Sequence, residues 1–179
     1  MSVEVKVVQD PGDSFFTSLF TQDGNWALWS DKILKGATAI NSVDDFARVC
    51  VDTKASKGLI DFIQINGHGN DSGFRIGNKD WIDLTTIERF KPRLASIAPL
   101  LSKNCSVEIA ACQAGKAADL MQKFSNILGG VTIVGYLVNQ SGGLAPIGPP
   151  VIISPGGKPF TIPAPASGGF SVPLAPPPS

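Results

Sequence analysis

Strongly β-forming runs that end in glycine-rich turns are the feature that most constrains this fold. Residues 59–65 form one such run, which stops abruptly at Asn66-Gly67-His68-Gly69-Asn70. The next run, residues 106–112, follows a helical region and leads through Gln113-Ala-Gly115 into another helical segment. Because parallel strands need long crossovers, this spacing predicts a mostly parallel sheet with helices on both faces. The predicted class is a three-layer α/β/α fold.

The remaining elements are predicted from alternation, caps and breakers. Alternation predicts a first strand, Ser42 can cap a helix, Pro92 and Pro99 divide another helix, and Gly129-Gly130 ends the last one. The predicted spans are a strand at 3–8, a helix from 43 to about 54, a short hairpin within 72–82, a divided helix from 85 or 86 toward 102, a helix at about 116–128, and a strand at 131–138.

The composition changes beyond residue 141, where prolines and glycines dominate and Lys158 is the only charged side chain. We therefore expect one α/β domain at 1–140 and a Pro/Gly-rich apolar tail at 141–179, partly extended or disordered. Short extended pieces are predicted at 151–153, 159–162 and 170–172. The apolar character of the tail predicts that part of it packs on the domain or binds a protein partner.

Charge and hydropathy exclude several classes of partner. Fifteen basic residues balance fifteen acidic ones, so no global field is present to attract nucleic acid or an anionic membrane. We expect neither a secretory leader nor a membrane span, because the first residues show no basic region followed by an apolar run and eighteen consecutive apolar residues do not occur. Localisation is otherwise unknown, and the cytoplasm is the default expectation.

The chain has three cysteines, an odd number that argues against a disulfide framework. Cys105 and Cys112 are expected on one strand about 23 Å apart, too far for a bridge or a shared metal. No Cys-x-x-Cys pair is present, so no metal site is predicted. No cofactor is predicted either, because Gly67-x-Gly69 lacks the lysine and the further glycines of a phosphate-binding loop. Cys50, on a helical apolar stripe, and Cys105 are assigned to structure.

His68 and Cys112 are the candidate catalytic residues, because each lies at or just past the carboxyl end of a predicted strand. Sites of parallel sheets gather at those ends, so we expect the two side chains to face one another. His68 is the only histidine of the chain and the natural acid–base group near neutral pH. A helix starting near Lys116 would favour the thiolate of Cys112. The amides of Gly69 and Cys112 are the candidate oxyanion hole.

These strand ends resemble those of the caspase-like, or clan CD, cysteine peptidases. In that group one apolar strand ends in His-Gly, and the next ends in a small residue, a cysteine and, shortly after, a glycine. Here the two ends read Ile63-Gln-Ile-Asn-Gly-His68-Gly69 and Val107-Glu-Ile-Ala-Ala-Cys112-Gln-Ala-Gly115. The style of the motif is similar to bacterial toxin-processing, gingipain and clostripain-type domains. The resemblance implies hydrolysis of a peptide bond through an acyl-enzyme on Cys112.

The substrate is expected to be a protein or peptide held beside Cys112. Asp10 and Asp13 follow the first strand and, with Gly67 and Gly115, are the candidate lining of a substrate pocket. A second hypothesis about the function stays open. A catalytically silent domain of the same fold could act as an interaction or effector module that uses the apolar tail.

Overall fold

The computed structural model describes residues 2–9, 36–137 and 150–161, and all statements below refer to these residues. Two sheets and three α-helices are present, with short 3-10 helices at Ala98–Leu100 and Ala114–Lys116. The strands are β1 (Glu4–Gln9), β2 (Thr38–Ile40), β3 (Ile60–Asn66), β4 (Gly73–Ile76), β5 (Asp80–Asp83), β6 (Leu101–Ala110), β7 (Thr132–Tyr136), β8 (Pro150–Ile153) and β9 (Phe160–Thr161). The helices are α1 (Val43–Lys57), α2 (Ile87–Ala95) and α3 (Ala118–Ile127).

The main sheet has the strand order β2-β1-β3-β6-β7-β8-β9. Strands β1, β2, β3, β6 and β7 pair in parallel, and β8 and β9 add antiparallel pairings at one edge. Helices α1, α2 and α3 lie between successive parallel strands, as crossovers require. The predicted α/β class with a mostly parallel sheet is therefore confirmed.

The three described helices pack on one face of the sheet. In register across the sheet, Val5 pairs with Ile63, Ile63 with Val107, and Val107 with Ile133. These four side chains are buried in one core together with residues of α1, α2 and α3. Because alternate residues of a strand face opposite sides, the register assigns this row to a single face. The described residues thus supply the sheet and one helical layer of the predicted three.

The helix boundaries follow from local chemistry. Ser42 caps α1, as predicted, and its Oγ accepts a hydrogen bond from the Asp45 N–H. Helix α1 continues to Lys57 and so exceeds the predicted end near residue 54. Pro92 lies inside α2, where it removes one helical hydrogen bond, and the helix ends three residues later at Ala95.

Two strands differ from the sequence prediction. The edge strand β2 was not predicted, because three residues are too few for alternation to show. Strand β6 begins at Leu101 rather than at residue 106, and it ends at Ala110, before Cys112. Its early part is irregular, with a register shift between the pairings of Ile60 and Phe62. A bulge of this kind interrupts the alternation that sequence reading depends on.

The segment beyond residue 141 contributes β8 and β9 to the main sheet. The extended pieces predicted at 151–153 and 159–162 are thus present as strands, with β8 fully buried. The piece predicted at 170–172 lies outside the described residues. No described helix combines the length and apolar character needed to cross a membrane.

The hairpin of β4 and β5 was also predicted, and it is bound to the helical layer. Asp80 is buried and its carboxylate accepts a hydrogen bond of 2.8 Å from the Val43 N–H at the start of α1. Phe74 of β4 packs edge-on against Phe124 of α3, with ring centroids 5.4 Å apart, and both rings are fully buried. The hairpin is therefore part of the core.

Phe74→Ala should lower the free energy of unfolding by about 3–5 kcal/mol, because it removes a fully buried ring and one half of an aromatic pair. Urea unfolding followed by tryptophan fluorescence measures the change. Phe160→Ala is the matched control, since Phe160 is 42% exposed and should lose far less. Equal losses in the two variants would contradict this packing.

Candidate active site

The ends of β3 and β6 bring the segments of His68 and Cys112 together. Asn66, the last residue of β3, pairs in register with Ala110, the last residue of β6. Each candidate residue follows its strand by two positions. The register offset between the strands, 44 residues for Gln64 and Glu108, is also the offset between His68 and Cys112. The two residues therefore follow their strands at the same level of the sheet.

Gly69 lies directly against the backbone of Cys112. A methyl group at Gly69 would lie 2.8 Å from the Cys112 carbonyl oxygen and 2.8 Å from the Ala111 Cβ. Both distances are shorter than van der Waals contact allows. A glycine is therefore required at position 69 for the two loops to approach this closely.

The loop that carries His68 is held by backbone hydrogen bonds to β4. The Arg75 N–H donates to the His68 carbonyl at 2.8 Å, and the Asn70 N–H donates to the Gly73 carbonyl at 2.9 Å. These bonds flank the pair formed by Gly69 and Phe74 and make it a non-hydrogen-bonded antiparallel pair. The amide of Gly69 is consequently directed away from β4. Its role in an oxyanion hole, like that of the Cys112 amide, stays a prediction.

Cys112 is followed by a constrained turn. Gln113 has φ +54° and is the one non-glycine residue with positive φ in the described part of the chain. Such a conformation is costly for a residue with a Cβ, and it occurs often at functional sites. The Gln113 carbonyl and side-chain oxygens accept hydrogen bonds from the backbone and side chain of Lys116. The turn redirects the chain directly after the candidate nucleophile.

The helix predicted to begin near Lys116 begins later. A 3-10 helix spans Ala114–Lys116, and α3 starts at Ala118. Cys112 is therefore separated from α3 by this short 3-10 helix, and the expected stabilisation of its thiolate by a helix dipole stays a prediction.

The predicted pocket residues have different surroundings. Gly67 lies beside β4, where an added methyl group would meet the Arg75 carbonyl at 2.9 Å. Gly115 is buried, and the same methyl group there would lie within 3.0 Å of the backbone of Gly135 and Tyr136. Close packing thus accounts for both glycines, and their place in a substrate pocket stays a prediction. Asp10 and Asp13 lie outside the described residues.

A polar network that the sequence analysis missed crosses the face of the sheet opposite the described helices. Glu108 of β6 accepts hydrogen bonds from the Tyr136 hydroxyl at 2.8 Å and from Gln64 Nε2 at 3.1 Å. Asn66 Nδ2 lies 3.4 Å from Gln64 Oε1 and donates at 3.0 Å to the Val7 carbonyl. The sequence does place polar residues at alternate positions of two central strands. This pattern is equally typical of a solvent-exposed face of a sheet, so it does not indicate a buried network.

A cleft of about 450 Å³ lies elsewhere, between the start of α1, the hairpin and α2. Neither His68 nor Cys112 lines it. Four of its charged side chains form two pairs, because Arg93 binds Asp44 and Arg89 lies 3.9 Å from Asp80, and Lys79 also lines the cleft. The cleft thus lies where α1, the hairpin and α2 meet, and ion pairs connect these elements across it.

The two remaining cysteines are buried, and their assignment to structure agrees with their surroundings. Burial raises the pKa of the Cys50 thiol to about 12, and the neighbouring Cys105 adds to the shift. Burial likewise raises the pKa of Cys105 to about 12, with a further contribution from Asp61. Both thiols remain protonated at neutral pH and are unsuited to nucleophilic attack. Cys112, in contrast, is only half-buried.

Comparison of the sequence with protein-family models and with curated proteins gives no match in either case. The functional interpretation of this site therefore rests on its geometry and on the sequence motifs.

Iodoacetamide at pH 8 should alkylate Cys112 in the folded protein and leave Cys50 and Cys105 unmodified. At a pKa of about 12 only about one buried thiol in ten thousand is thiolate at that pH. Peptide mapping by mass spectrometry locates the adducts, and the urea-unfolded protein, in which all three cysteines react, is the control. Equal modification of the three in the folded state would contradict the assignment.

Proposed function

We propose that this protein is a cysteine endopeptidase of the caspase-like kind, with Cys112 as nucleophile and His68 as general acid–base. The observation that carries the proposal is the common register of the two strands. It brings the only histidine of the chain level with the half-buried cysteine at the carboxyl edge of a parallel sheet. This edge is where α/β enzymes bind their ligands.

The chemistry follows from the two side chains. His68 takes the thiol proton as Cys112 Sγ bonds to the carbonyl carbon of the scissile peptide, forming a tetrahedral oxyanion. Collapse of this intermediate breaks the C–N bond, and the imidazolium returns the proton to the leaving amine. Water, activated by the same imidazole, then hydrolyses the thioester and restores the thiol. The amides of Gly69 and Cys112 are the proposed donors to the oxyanion.

The caspase-like, three-layer arrangement is part of the same proposal. It is supported by the parallel order β2-β1-β3-β6-β7, by the crossover helices between these strands, and by the position of the dyad at adjacent strand ends. The turn at Gln113 supports it as well, because a sharp turn after the nucleophile leaves the thiol at the rim of the sheet. A protein or peptide is the proposed substrate.

A set of peptidyl acyloxymethyl ketones that differ in the residue beside the reactive group tests the dyad. We expect a covalent adduct on Cys112 and a labelling rate about 10²–10⁴ lower in His68→Ala, because the general base is lost. Cys112→Ser should abolish the adduct. Cys50→Ala is the matched control and should keep the rate of the unaltered protein.

An adduct rate that is the same in His68→Ala and in the unaltered protein would overturn the proposal. The catalytically silent interaction module would then be the better reading. Circular dichroism of each variant establishes that a lower rate does not come from unfolding.

Gly69→Ala should lower the labelling rate by about 10²-fold. The added methyl group pushes the His68 loop away from Cys112, and a displacement of about 1 Å is enough to impair proton transfer between the two side chains. Gly157→Ala is the control, since a methyl group there meets its nearest neighbour at 3.4 Å and needs no displacement. Stopped-flow or timed quench with mass detection measures both rates. An unchanged rate in a folded Gly69→Ala variant would contradict the proposed approach of the loops.

A further inference from the structure

Asn66 carries a buried hydrogen-bond acceptor that no described residue uses. The side chain is 3% exposed, and its Oδ1 has no access to solvent. Its Nδ2 is engaged by the Val7 carbonyl at 3.0 Å. Buried polar atoms almost always have a partner, because an unpaired one costs about 1–3 kcal/mol. Since bulk water does not reach this oxygen, its donor has to come from a group close to Asn66.

The network around Glu108 determines which atom Asn66 presents. A carboxylate only accepts hydrogen bonds, so Gln64 turns its amino group toward Glu108 and its oxygen toward Asn66. Asn66 in turn directs Nδ2 toward Gln64, so its Oδ1 forms the end of this hydrogen-bonded network. Burial, with the Glu108 carboxylate beside it, raises the pKa of Tyr136, so this hydroxyl also remains a donor to Glu108.

The free end of this chain lies next to the candidate dyad. Asn66 precedes His68 by two residues, and residues two apart in extended chain lie on the same face about 6.6 Å apart. Side chains of this length that turn toward each other can bridge that gap. The His68 imidazole is exposed and has no hydrogen bond to a described residue, so no such bond has to break for the ring to turn toward Asn66.

We propose that Asn66 is a positioning residue of the dyad, whose Oδ1 accepts the hydrogen bond from Nδ1–H of His68 and leaves Nε2 to face Cys112. This inference rests on the proposed peptidase function. The bond would select the imidazole tautomer that can take a proton from the thiol, and it would hold the ring plane during the transfer. Glu108 acts indirectly, because its negative charge determines how the side-chain amides of Gln64 and Asn66 are oriented.

The single histidine of the chain makes the test direct, because its imidazole signals in an NMR titration need no assignment by mutation. Asn66→Asp places a carboxylate at the proposed acceptor and should raise the His68 pKa by about one unit or more. Asn70→Asp is the matched control: it adds the same charge two residues after His68, on an exposed turn, and should give a much smaller rise. Equal rises in the two variants, or no rise in Asn66→Asp, would overturn the inference.

A second measurement on the unaltered protein keeps the inference testable if Asn66→Asp does not fold. The ¹⁵N shifts of the neutral imidazole report its tautomer, and we expect the Nδ1–H form to predominate. In Asn66→Ala the population should move toward the Nε2–H form that free histidine prefers. Predominance of Nε2–H in the unaltered protein would contradict the proposed bond.

These readouts separate the inference from the proposed function. If labelling of Cys112 depends on His68 while the His68 titration ignores Asn66→Asp, the dyad stands and the role of Asn66 is wrong. If Asn66→Asp shifts the titration while labelling is independent of His68, the contact exists and the peptidase proposal fails.

Discussion

The parallel pairing of β3 with β6 is the constraint on which the rest of the structure depends. Ile63 and Ile65 face the helical layer together with Val107 and Ile109, with which they are in register, and a slip of one residue would turn one of the two strands over. The same pairing makes Gln64 level with Glu108, and the loops that follow the two strands approach each other at Gly69 and Cys112. Core packing and site geometry therefore both follow from the register of β3 and β6. A change of this register would alter both.

Much of this architecture could be predicted from local sequence. A β-forming run stopped by Asn66-Gly67, a helix capped by Ser42 and a helix ended by Gly129-Gly130 each carry their own signal. The failures have a common physical cause. Strand β2 and the early part of β6 are held by neighbouring strands, and the turn after Cys112 is held by packing of Gly115 on β7. Non-local contacts of this kind leave no local pattern.

Some residues of the candidate site could likewise be predicted from the sequence, and others could not. His68 and Cys112 could be named because parallel strands bring their carboxyl ends to one edge, which is a rule about topology rather than about distance. The network of Gln64, Glu108 and Tyr136 could not be named, because its meaning depends on which strands are neighbours. A glutamine and a glutamate at alternate positions indicate only a face that is not the core. The register converts them into a hydrogen-bonded network that ends at Asn66, two residues before the candidate residue His68.

Phe74 gives the spacing of the two loops a second, independent support. It is the partner of Gly69 in the bridge that holds the His68 loop, and its ring packs on Phe124 in the helix that follows Cys112. The loops are thus joined once through the sheet, by the register of β3 and β6, and once through the helical layer, by one aromatic pair. A dyad needs its two groups held to within a fraction of an ångström. Two separate supports constrain the rotation of the loops as well as their distance, which a single strand pairing cannot do.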